Sequence, residues 1–516
     1  MFFESRFQSM KKRSLVLVTV DCLRADHVGF LGYSRAVTPA LDALAQNSVV
    51  FSAAIVAGAP TYFSFPAIMA SRYPLALGRD ILGIAPHEVT LATSLRDAGY
   101  TTAAFLAGNP YLSPHFGYEQ GFATFRDFLE SGSADKSVPG AVPSTNFLSD
   151  FNRRIQADSR RIGLTGAAYD ALYFWYCQWR LRRENVSMDS LRCYPPADVL
   201  VNEAISWLSG MDEQPFFLWM HLMDPHHPYY PPVEALSSLG KSDITPRRAR
   251  FLNSFWNRGD IGARRLERHR DEIISLYDAG IFWVDKQISR LVQALQEFRR
   301  WDETVFAVTA DHGEEFLEHG NRFHSPISLP EQLIHVPLLL RSPEVSGMRL
   351  SKGPFSLIHL APTLLDAVGA AVPDSFQGRS HWKEISAGNL LSEPAIVECV
   401  ASNNPFQTSD RMRPRLMAVR DATYKLVINF NRNFNGITDS FYDLKNDPGE
   451  HSPLPDGALS EVRARFFQIA RAHLQQTQRN RNVELRLLAH LRAIQQSPAV
   501  SQPEASISEL RPTNSG

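Results

Sequence analysis

Cysteine is scarce in this chain, with four among 516 residues. The four lie far apart and lack the CxxC or CxxH spacing of a zinc knuckle, and so few cysteines do not make a disulfide framework. We therefore interpret them as buried thiols in a reducing compartment and predict a cytoplasmic protein. They are Cys22, Cys177, Cys193 and Cys399.

Long apolar runs are also absent, since no stretch approaches the ~18 residues that a membrane helix requires. The run Leu15–Val20 follows three basic residues in the manner of a signal peptide, but it is short and ends directly at Asp21. We interpret it as a buried strand. The sequence therefore predicts no transmembrane segment.

Neither sign of charge is in excess, because 53 Lys and Arg face 54 Asp and Glu, for a formal net charge of −1. This balance does not favour a nucleic-acid partner. The length exceeds the ~250–300 residues at which a single core stops growing, so we expect one large domain and a smaller one.

What the chain does have is an alternation of apolar runs with helical patterns. Such alternation favours a doubly wound α/β domain with a mainly parallel sheet flanked by helices. We predict strands at Leu15–Val20, Thr102–Leu106, Phe216–His221, Thr304–Ala310 and Val336–Leu340, and helices at Pro39–Gln46, Ser64–Ala70, Leu91–Ala98, Ala197–Leu208, Asp271–Phe298 and Ser356–Val368.

The pattern changes after about residue 390. Short strands at Ala395–Val400, Arg415–Val419, Tyr424–Ile428 and Ser440–Leu444, then helices at Leu459–Gln475 and Val483–Gln495, predict a small antiparallel sheet with a helix. We place the large α/β domain at 14–390, with a variable insertion at about 127–195 and an Arg-rich segment at 246–270. A small α+β subdomain follows at 391–496. The segment 497–516 is rich in Ser, Pro and Glu, and we expect it to be disordered.

Acidic residues stand directly after two of the predicted strands. Asp21 follows the first strand, and Asp311, His312 and Glu314 follow Thr304–Ala310. Ligands of open α/β sheets bind at the carboxyl ends of strands. The pattern therefore predicts a site for a divalent metal ion, with zinc, manganese and calcium all compatible with the residue types. The alternative is that these residues only cap a loop and a helix.

A hydroxyl group stands just before the short helix predicted to begin near Ser64. Thr61 there would meet the positive end of the helix dipole and free backbone N–H groups. With a metal ion, these features favour an alkoxide nucleophile and an anionic substrate. The alternative is that Thr61 or Ser64 is an ordinary helix N-cap.

Histidines gather after the strand Phe216–His221. His221, His226 and His227 lie there, and His319 and His324 follow Asp311. Histidine suits proton transfer to a leaving oxygen and hydrogen bonding to a sulfuryl or phosphoryl group.

Six segments in series resemble the signature segments of the sulfatase family, within the alkaline phosphatase superfamily. The resemblance implies an alkaline-phosphatase-like fold, Asp21, Asp311, His312 and Thr61 as metal ligands, and Thr61 as the nucleophile. It also implies catalytic contacts from His226 and His324 and substrate binding by His221 and Asn109. The segments are Thr19–Gly29, Met223–Tyr229, Thr309–Gly320, His335–Leu340, Leu360–Asp366 and Tyr442–Pro448.

The sequence departs from the sulfatase pattern at the nucleophile. Where formylglycine sulfatases carry Cys or Ser, then Pro and Arg, this chain has Thr61, Phe63 and Phe65, and the usual second Asp is Cys22. Threonine cannot become formylglycine. The site thus also resembles threonine-nucleophile phosphoryl-transfer enzymes, whose pattern places a histidine thirteen residues after the metal-binding Asp, here His324.

We predict a metal-dependent hydrolase of sulfate or phosphate/phosphonate esters that acts through a covalent Thr61 intermediate. The alternatives are a phosphoethanolamine-type transferase and a catalytically weak relative that binds anionic glycans. Expected partners are a small anionic ester, a sulfated or phosphorylated glycan, or a lipid headgroup, and a homo-oligomer is compatible with the sequence.

Two segments have no assigned role in that chemistry. The aromatic segment 169–183 is interpreted as a lid or dimer-contact helix, with a membrane-surface helix as the alternative. The Arg-rich segment 246–270 is interpreted as a solvated face, with recruitment of an anionic substrate as the alternative.

Overall fold

The computed structural model describes residues 12–76, 83–129, 172, 174–176, 178–179, 186–325, 328–389, 393–400, 414–430, 437–455 and 457–476. Among these residues, no helix combines the length and the apolar character needed to cross a bilayer. The predicted helix Val483–Gln495, the segment 497–516 and much of the insertion lie outside the described residues.

Fifteen strands are found in the described part of the chain. They are β1 (Ser14–Val20), β2 (Val49–Ile55), β3 (Thr101–Leu106), β4 (Thr124–Arg126), β5 (Phe216–Leu222), β6 (Thr304–Ala310), β7 (Glu315–Phe316), β8 (Arg322–Phe323), β9 (His335–Val336), β10 (Leu338–Arg341), β11 (Arg349–Ser356), β12 (Ala395–Val400), β13 (Pro414–Arg420), β14 (Tyr424–Phe430) and β15 (Ile437–Asp443).

A nine-stranded, mostly parallel sheet forms the centre of the protein, in the order β11-β2-β10-β6-β1-β5-β3-β4 with β9 attached to β2. Strand β1 lies between β5 and β6 and runs parallel to both. Every residue of these three strands is buried, as expected for parallel strands covered on both faces. The predicted α/β fold with its mainly parallel sheet is confirmed.

Helices cover this sheet, and the longest has the apolar spacing that predicted it. Helix Arg270–Glu297 buries Ile273, Leu276 and Tyr277, residues three or four apart that share one helical face. The main helices are α1 (Pro39–Ala45), α2 (Thr61–Ala70), α3 (Leu91–Asp97), α4 (Met188–Leu191), α5 (Ala197–Ser209), α6 (Val233–Ser238), α7 (Pro246–Trp256), α8 (Ala263–Leu266), α9 (Arg270–Glu297), α10 (Glu331–Ile334), α11 (Leu360–Ala367) and α12 (Trp382–Ser386).

A second, antiparallel sheet of β12-β13-β14-β15 follows, as predicted. Along β13, Leu416 and Ala418 belong to the core of the large sheet. Met417 and Val419 belong to a separate cluster with Phe466, from the helix at 460–476. Successive side chains of a strand point to opposite faces. One face of the small sheet therefore packs on the core of the large sheet, and the other face packs on the separate cluster.

Three differences from prediction have local reasons. The predicted strand Val336–Leu340 is divided into β9 and β10 at Pro337, which has no N–H to donate to a ladder. Strand β11 was missed because its sequence is polar and contains Gly353 and Pro354 beside a register shift. That strand continues to Ser356, so the helix expected from Ser356 begins at Leu360.

The structure describes part of the aromatic segment 169–183 and all of the Arg-rich segment 246–270, the two segments that have no assigned role. In the aromatic segment, Phe174 packs against Phe251 and Phe255 of α7, while Trp175 and Trp179 are more than half exposed. In the Arg-rich segment, acidic neighbours offset the arginines, since Arg248 pairs with Glu272 and Arg258 with Asp260. Cys22 and Cys399 are buried as expected, but Cys193 is exposed.

Candidate active site

Two carboxylates meet at the carboxyl edge of the central sheet. Asp21 follows β1 and Asp311 follows β6, and the two strands are parallel neighbours. Both side chains are fully buried. Each approaches the same atom, His312 Nε2, which lies 3.8 Å from Asp21 Oδ1 and 3.4 Å from Asp311 Oδ2.

Thr61 lies at the same point. Its Oγ1 is 3.0 Å from His312 Nε2. Helix α2 begins at Thr61 itself, not near Ser64, and its N-cap residue is Pro60, which supplies no side-chain cap. The suggestion that Ser64 caps this helix is therefore wrong. The buried hydroxyl of Ser64 has no hydrogen-bond partner among the described residues.

His312 is fixed in one tautomer. Its Nδ1–H donates to the carbonyl oxygen of Gly313 at 2.9 Å, which leaves the Nε2 lone pair facing Thr61. Burial, with the nearby charge of His324, lowers the pKa of His312 to about 4, so the ring is neutral. Residue 313 must be glycine, because an added Cβ would lie 1.9 Å from the backbone oxygen of Gln332. A neutral imidazole with a free Nε2 can accept a proton or bind a metal ion.

Asp21 is held by two polar side chains. Asn109 Nδ2 donates to Asp21 Oδ2 at 3.1 Å, and His221 Nε2 lies 3.3 Å from the same oxygen. Burial acts to raise the pKa of Asp21, but His226, His221 and His312 together hold it well below its usual range. Asp21 is therefore ionised. Asn109 and His221, predicted to bind substrate, are both buried against Asp21, and this position favours orienting the carboxylate.

The negative charge of Asp311 is less stable than that of Asp21. Burial, together with the negative charge of Asp21, raises the pKa of Asp311 to about 7. Its Oδ2 is buried and has no hydrogen-bond partner among the described residues. Two buried carboxylates, an unpartnered oxygen and a neutral imidazole that faces them make a donor set suited to a divalent cation.

His226 and His324 lie beside this set, with their ring centroids 5.0 Å apart. His324 is 4.5 Å from His312, centroid to centroid, and its Nδ1 is 3.4 Å from Glu314 Oε1. Burial acts to lower the pKa of His324, but the Glu314 carboxylate raises it to about 9. Burial lowers the pKa of His226. One ring is therefore charged and the other neutral, as an acid and a base require.

Sequence reasoning placed Glu314 with Asp311 and His312 after the predicted strand but gave it no catalytic role of its own. The fully buried carboxylate faces His324, whose Nδ1 lies 3.4 Å from Glu314 Oε1. Its position, three residues after Asp311, was the available signal. The neighbouring His319 was grouped with His324, but it contacts Gln332 instead, at 3.2 Å.

Cys22 occupies the centre of the cluster. Its Sγ donates to Asp21 Oδ1 at 3.1 Å and lies 3.5 Å from His324 Nδ1. Its backbone is left-handed, with φ of 61°. Ligand atoms of Cys22 with Asp21 and His312, or of Cys22 with His226 and His324, all lie within 4.8 Å of one another.

Comparison with known proteins identifies the family of this chain. The Sulfatase family model matches residues 13–370. The chain belongs to the sulfatase family. A second model, the C-terminal part of N-sulphoglucosamine sulphohydrolase, matches residues 321–468. Membership in the sulfatase family places this protein among the hydrolases of ester bonds.

Relatives of this sulfatase-family chain act on different esters, to judge by their names. It is 26% identical over 408 residues to arylsulfatase of Clostridium perfringens, covering 72% of this chain and 77% of that one. It is 22% identical over 494 residues to the multifunctional alkaline phosphatase superfamily protein PehA of Trinickia caryophylli, covering 86% and 91%. The phosphonate monoester hydrolase of Agrobacterium radiobacter matches with a TM-score of 0.61 at 20% identity, covering 91% and 96%. The last match shows a shared fold.

Proposed function

We propose that the protein hydrolyses sulfate, phosphate or phosphonate esters through a covalent ester on Thr61. The observation that carries this proposal is the contact of Thr61 Oγ1 with His312 Nε2, 3.0 Å long, beside two buried carboxylates. A hydroxyl at the start of a buried helix, facing a neutral imidazole with a free lone pair, is suited to act as a nucleophile.

Asp21, Asp311, His312 and Thr61 would hold a divalent metal ion. Such an ion would lower the pKa of the Thr61 hydroxyl and stabilise negative charge on the ester oxygens. The nearby thiol and imidazoles favour zinc over manganese and calcium, which prefer oxygen ligands. The unpartnered Oδ2 of Asp311 supports this assignment.

The reaction would proceed by double displacement. The Thr61 hydroxyl first loses its proton to solvent. Thr61 Oγ1, as the alkoxide, attacks the sulfur or phosphorus, the bond to the leaving oxygen breaks, and His324, charged below about pH 9, protonates that oxygen as the alcohol departs. Water then attacks the Thr61 ester while the neutral His226 accepts its proton, and His226 passes that proton to the neighbouring His324, which restores both rings. This second step releases inorganic sulfate, phosphate or a phosphonate and regenerates Thr61.

The residue at position 61 favours phosphorus over sulfur as the reacting centre. A threonine sulfate ester cannot release sulfate by collapse of a hemiacetal, the route open to formylglycine. We therefore expect turnover of an aryl phosphate diester or phosphonate monoester, with sulfate monoester turnover equal or weaker. A panel of p-nitrophenyl esters measures this ranking, and dominant sulfatase activity would overturn it.

Two alternatives have distinct outcomes in the same assay. A phosphoethanolamine-type transferase would pass the group to an added alcohol in preference to water, which product analysis detects. A catalytically weak glycan-binding relative would turn over no ester. The convergence of Thr61, His312 and His324 on one point supports turnover, which a metal chelator should abolish.

A further inference from the structure

A cavity of about 760 Å³ opens beside the candidate active site. Its wall includes Gly108, adjacent in sequence to the Asn109 that binds Asp21, and Tyr194, whose ring centroid lies 5.3 Å from that of His226. A smaller cavity shares Tyr194 with it and is lined by His226 itself. The volume falls within the ~300–1,000 Å³ typical of small-molecule sites.

Arg192 is a buried cation in the wall of both cavities. Its side chain is 13% exposed, and its Nε donates to the carbonyl oxygen of Tyr230 at 2.9 Å, which fixes the guanidinium. Its buried Nη2 has no hydrogen-bond partner within the described part of the chain. A guanidinium stays charged at any working pH, and an unmade hydrogen bond from a buried charge is costly. An acceptor oxygen of a bound ligand would accept the missing hydrogen bond from Nη2.

The carboxylates around Arg192 do not complete a hydrogen bond to Nη2. Asp189 Oδ1 is 3.5 Å from Nη2, but the Asp189 side chain is 82% exposed, so solvent screens its charge. Asp198 accepts the indole N–H of Trp283 at 3.3 Å. Asp224 accepts the amide of Ala197 at 3.1 Å.

We infer that this cavity receives the alcohol part of the ester and that Arg192 binds a carboxylate or a second ester group on that alcohol. The aromatic side chains of Tyr194 and Trp283 line the same cavity and suit a ring-shaped group. In a double displacement, water attacks from the side that the alcohol has left. His226, the proposed base for that water, lies next to Tyr194 of the cavity wall, so the cavity is on the side of the departing alcohol. The inference rests on the proposed ester hydrolysis and names its preferred substrates, esters with a second negative charge.

The test compares two aryl esters of the same acid, one with a 4-carboxyphenyl and one with a 4-carbamoylphenyl leaving group. The second has the same shape without the charge. We expect the wild type to prefer the carboxylated ester in kcat/KM. Arg192→Gln should lower kcat/KM for that ester by roughly 10- to 100-fold, mainly through KM, while the carbamoyl ester changes little. Arg192→Lys should retain part of the preference, since lysine keeps the positive charge but lacks the paired N–H donors of the guanidinium group.

The control variant is Arg264→Gln, which removes the same charge from an exposed position and should leave both esters unchanged. Equal losses for the two esters in Arg192→Gln, or no preference in the wild type, would overturn the inference.

Binding of the free alcohols 4-hydroxybenzoate and 4-hydroxybenzamide, measured by calorimetry, requires no turnover. Arg192-dependent binding of 4-hydroxybenzoate without ester turnover would support the cavity and reject the proposed hydrolysis.

Discussion

Thr61 and Ser64 share the first turn of α2, but their hydroxyl groups have different surroundings. Thr61 contacts His312, whereas Ser64 has no hydrogen-bond partner among the described residues. We expect Thr61→Ala to fold normally and lose several orders of magnitude in kcat. Ser64→Ala should stay active and be equally or slightly more stable, because it removes an unsatisfied buried hydroxyl.

The measurements are kcat on a p-nitrophenyl ester, thermal unfolding, and mass mapping of the adduct trapped with a slow substrate. An adduct on Ser64, or an active Thr61→Ala protein, would contradict the assignment of the nucleophile.

Glu314 controls the protonation of His324. Because this carboxylate raises the pKa of His324 to about 9 against the opposing effect of burial, the charged imidazole is present below that pH and is lost above it. We expect the alkaline limb of the kcat/KM profile near pH 9 in the wild type. In Glu314→Gln the limb should move to lower pH, because the effect of burial is then opposed only by Asp21 and Asp311. Glu315→Gln, a change at the adjacent buried carboxylate, should not move the limb.

At the scale of elements, continuous apolar runs predicted β1, β5 and β6 within one residue, and adjacent parallel strands bring Asp21 and Asp311 together. Two long strands of the large sheet were missed. Strand β11 has a polar sequence, and β2 was not predicted although its sequence is mostly apolar. The contact between Glu314 and His324 was also beyond prediction, because it depends on the path of the chain through β7 and β8. A residue pattern gives strand ends, but it does not give the direction of a loop.

The strand ends of β1 and β6 carry like charges, and this makes a prediction about metal binding. Asp311→Asn removes a carboxylate whose pKa is raised by burial and by Asp21. The metal-free variant should be as stable as the wild type or more stable. Added zinc or manganese at 100 times its Kd should stabilise the wild type by about 2.7 kcal/mol and the variant much less. Thermal unfolding with elemental analysis measures both effects, with Asp374→Asn, an exposed change, as the control. Equal metal content in all three proteins would contradict the site.

At the scale of the whole molecule, a buried ion cluster joins the small sheet to the large domain. Lys425 of β14 is fully buried, and its Nζ lies 2.7 Å from Glu450 Oε1 and 3.3 Å from Glu331 Oε1. Arg420 of β13 also contacts Glu331, at 3.2 Å. Glu331 is the first residue of α10, shortly after the loop that carries His324.

Lys425→Met should destabilise the protein by about 3–5 kcal/mol at neutral pH, because it leaves buried carboxylates with one cation fewer. Burial acts to raise the pKa of Glu331, but Arg420 and Lys425 lower it to about 2 from 4.5. The stabilisation by this pair is therefore present above about pH 4.5 and is lost as the pH falls towards 2. Urea unfolding across this range measures the difference, with the exposed Lys352→Met as the control. A destabilisation that persists unchanged at pH 2 would contradict the electrostatic origin.

The central position of β1 also has a consequence for synthesis on the ribosome. Leu15 pairs with Phe217 on one side and with Val305 on the other. At ~5–20 residues per second, the first partner strand is made about 10–40 seconds after β1 and the second later still. For that time a mostly apolar strand has neither neighbour, so we expect the nascent chain to aggregate unless a chaperone binds it.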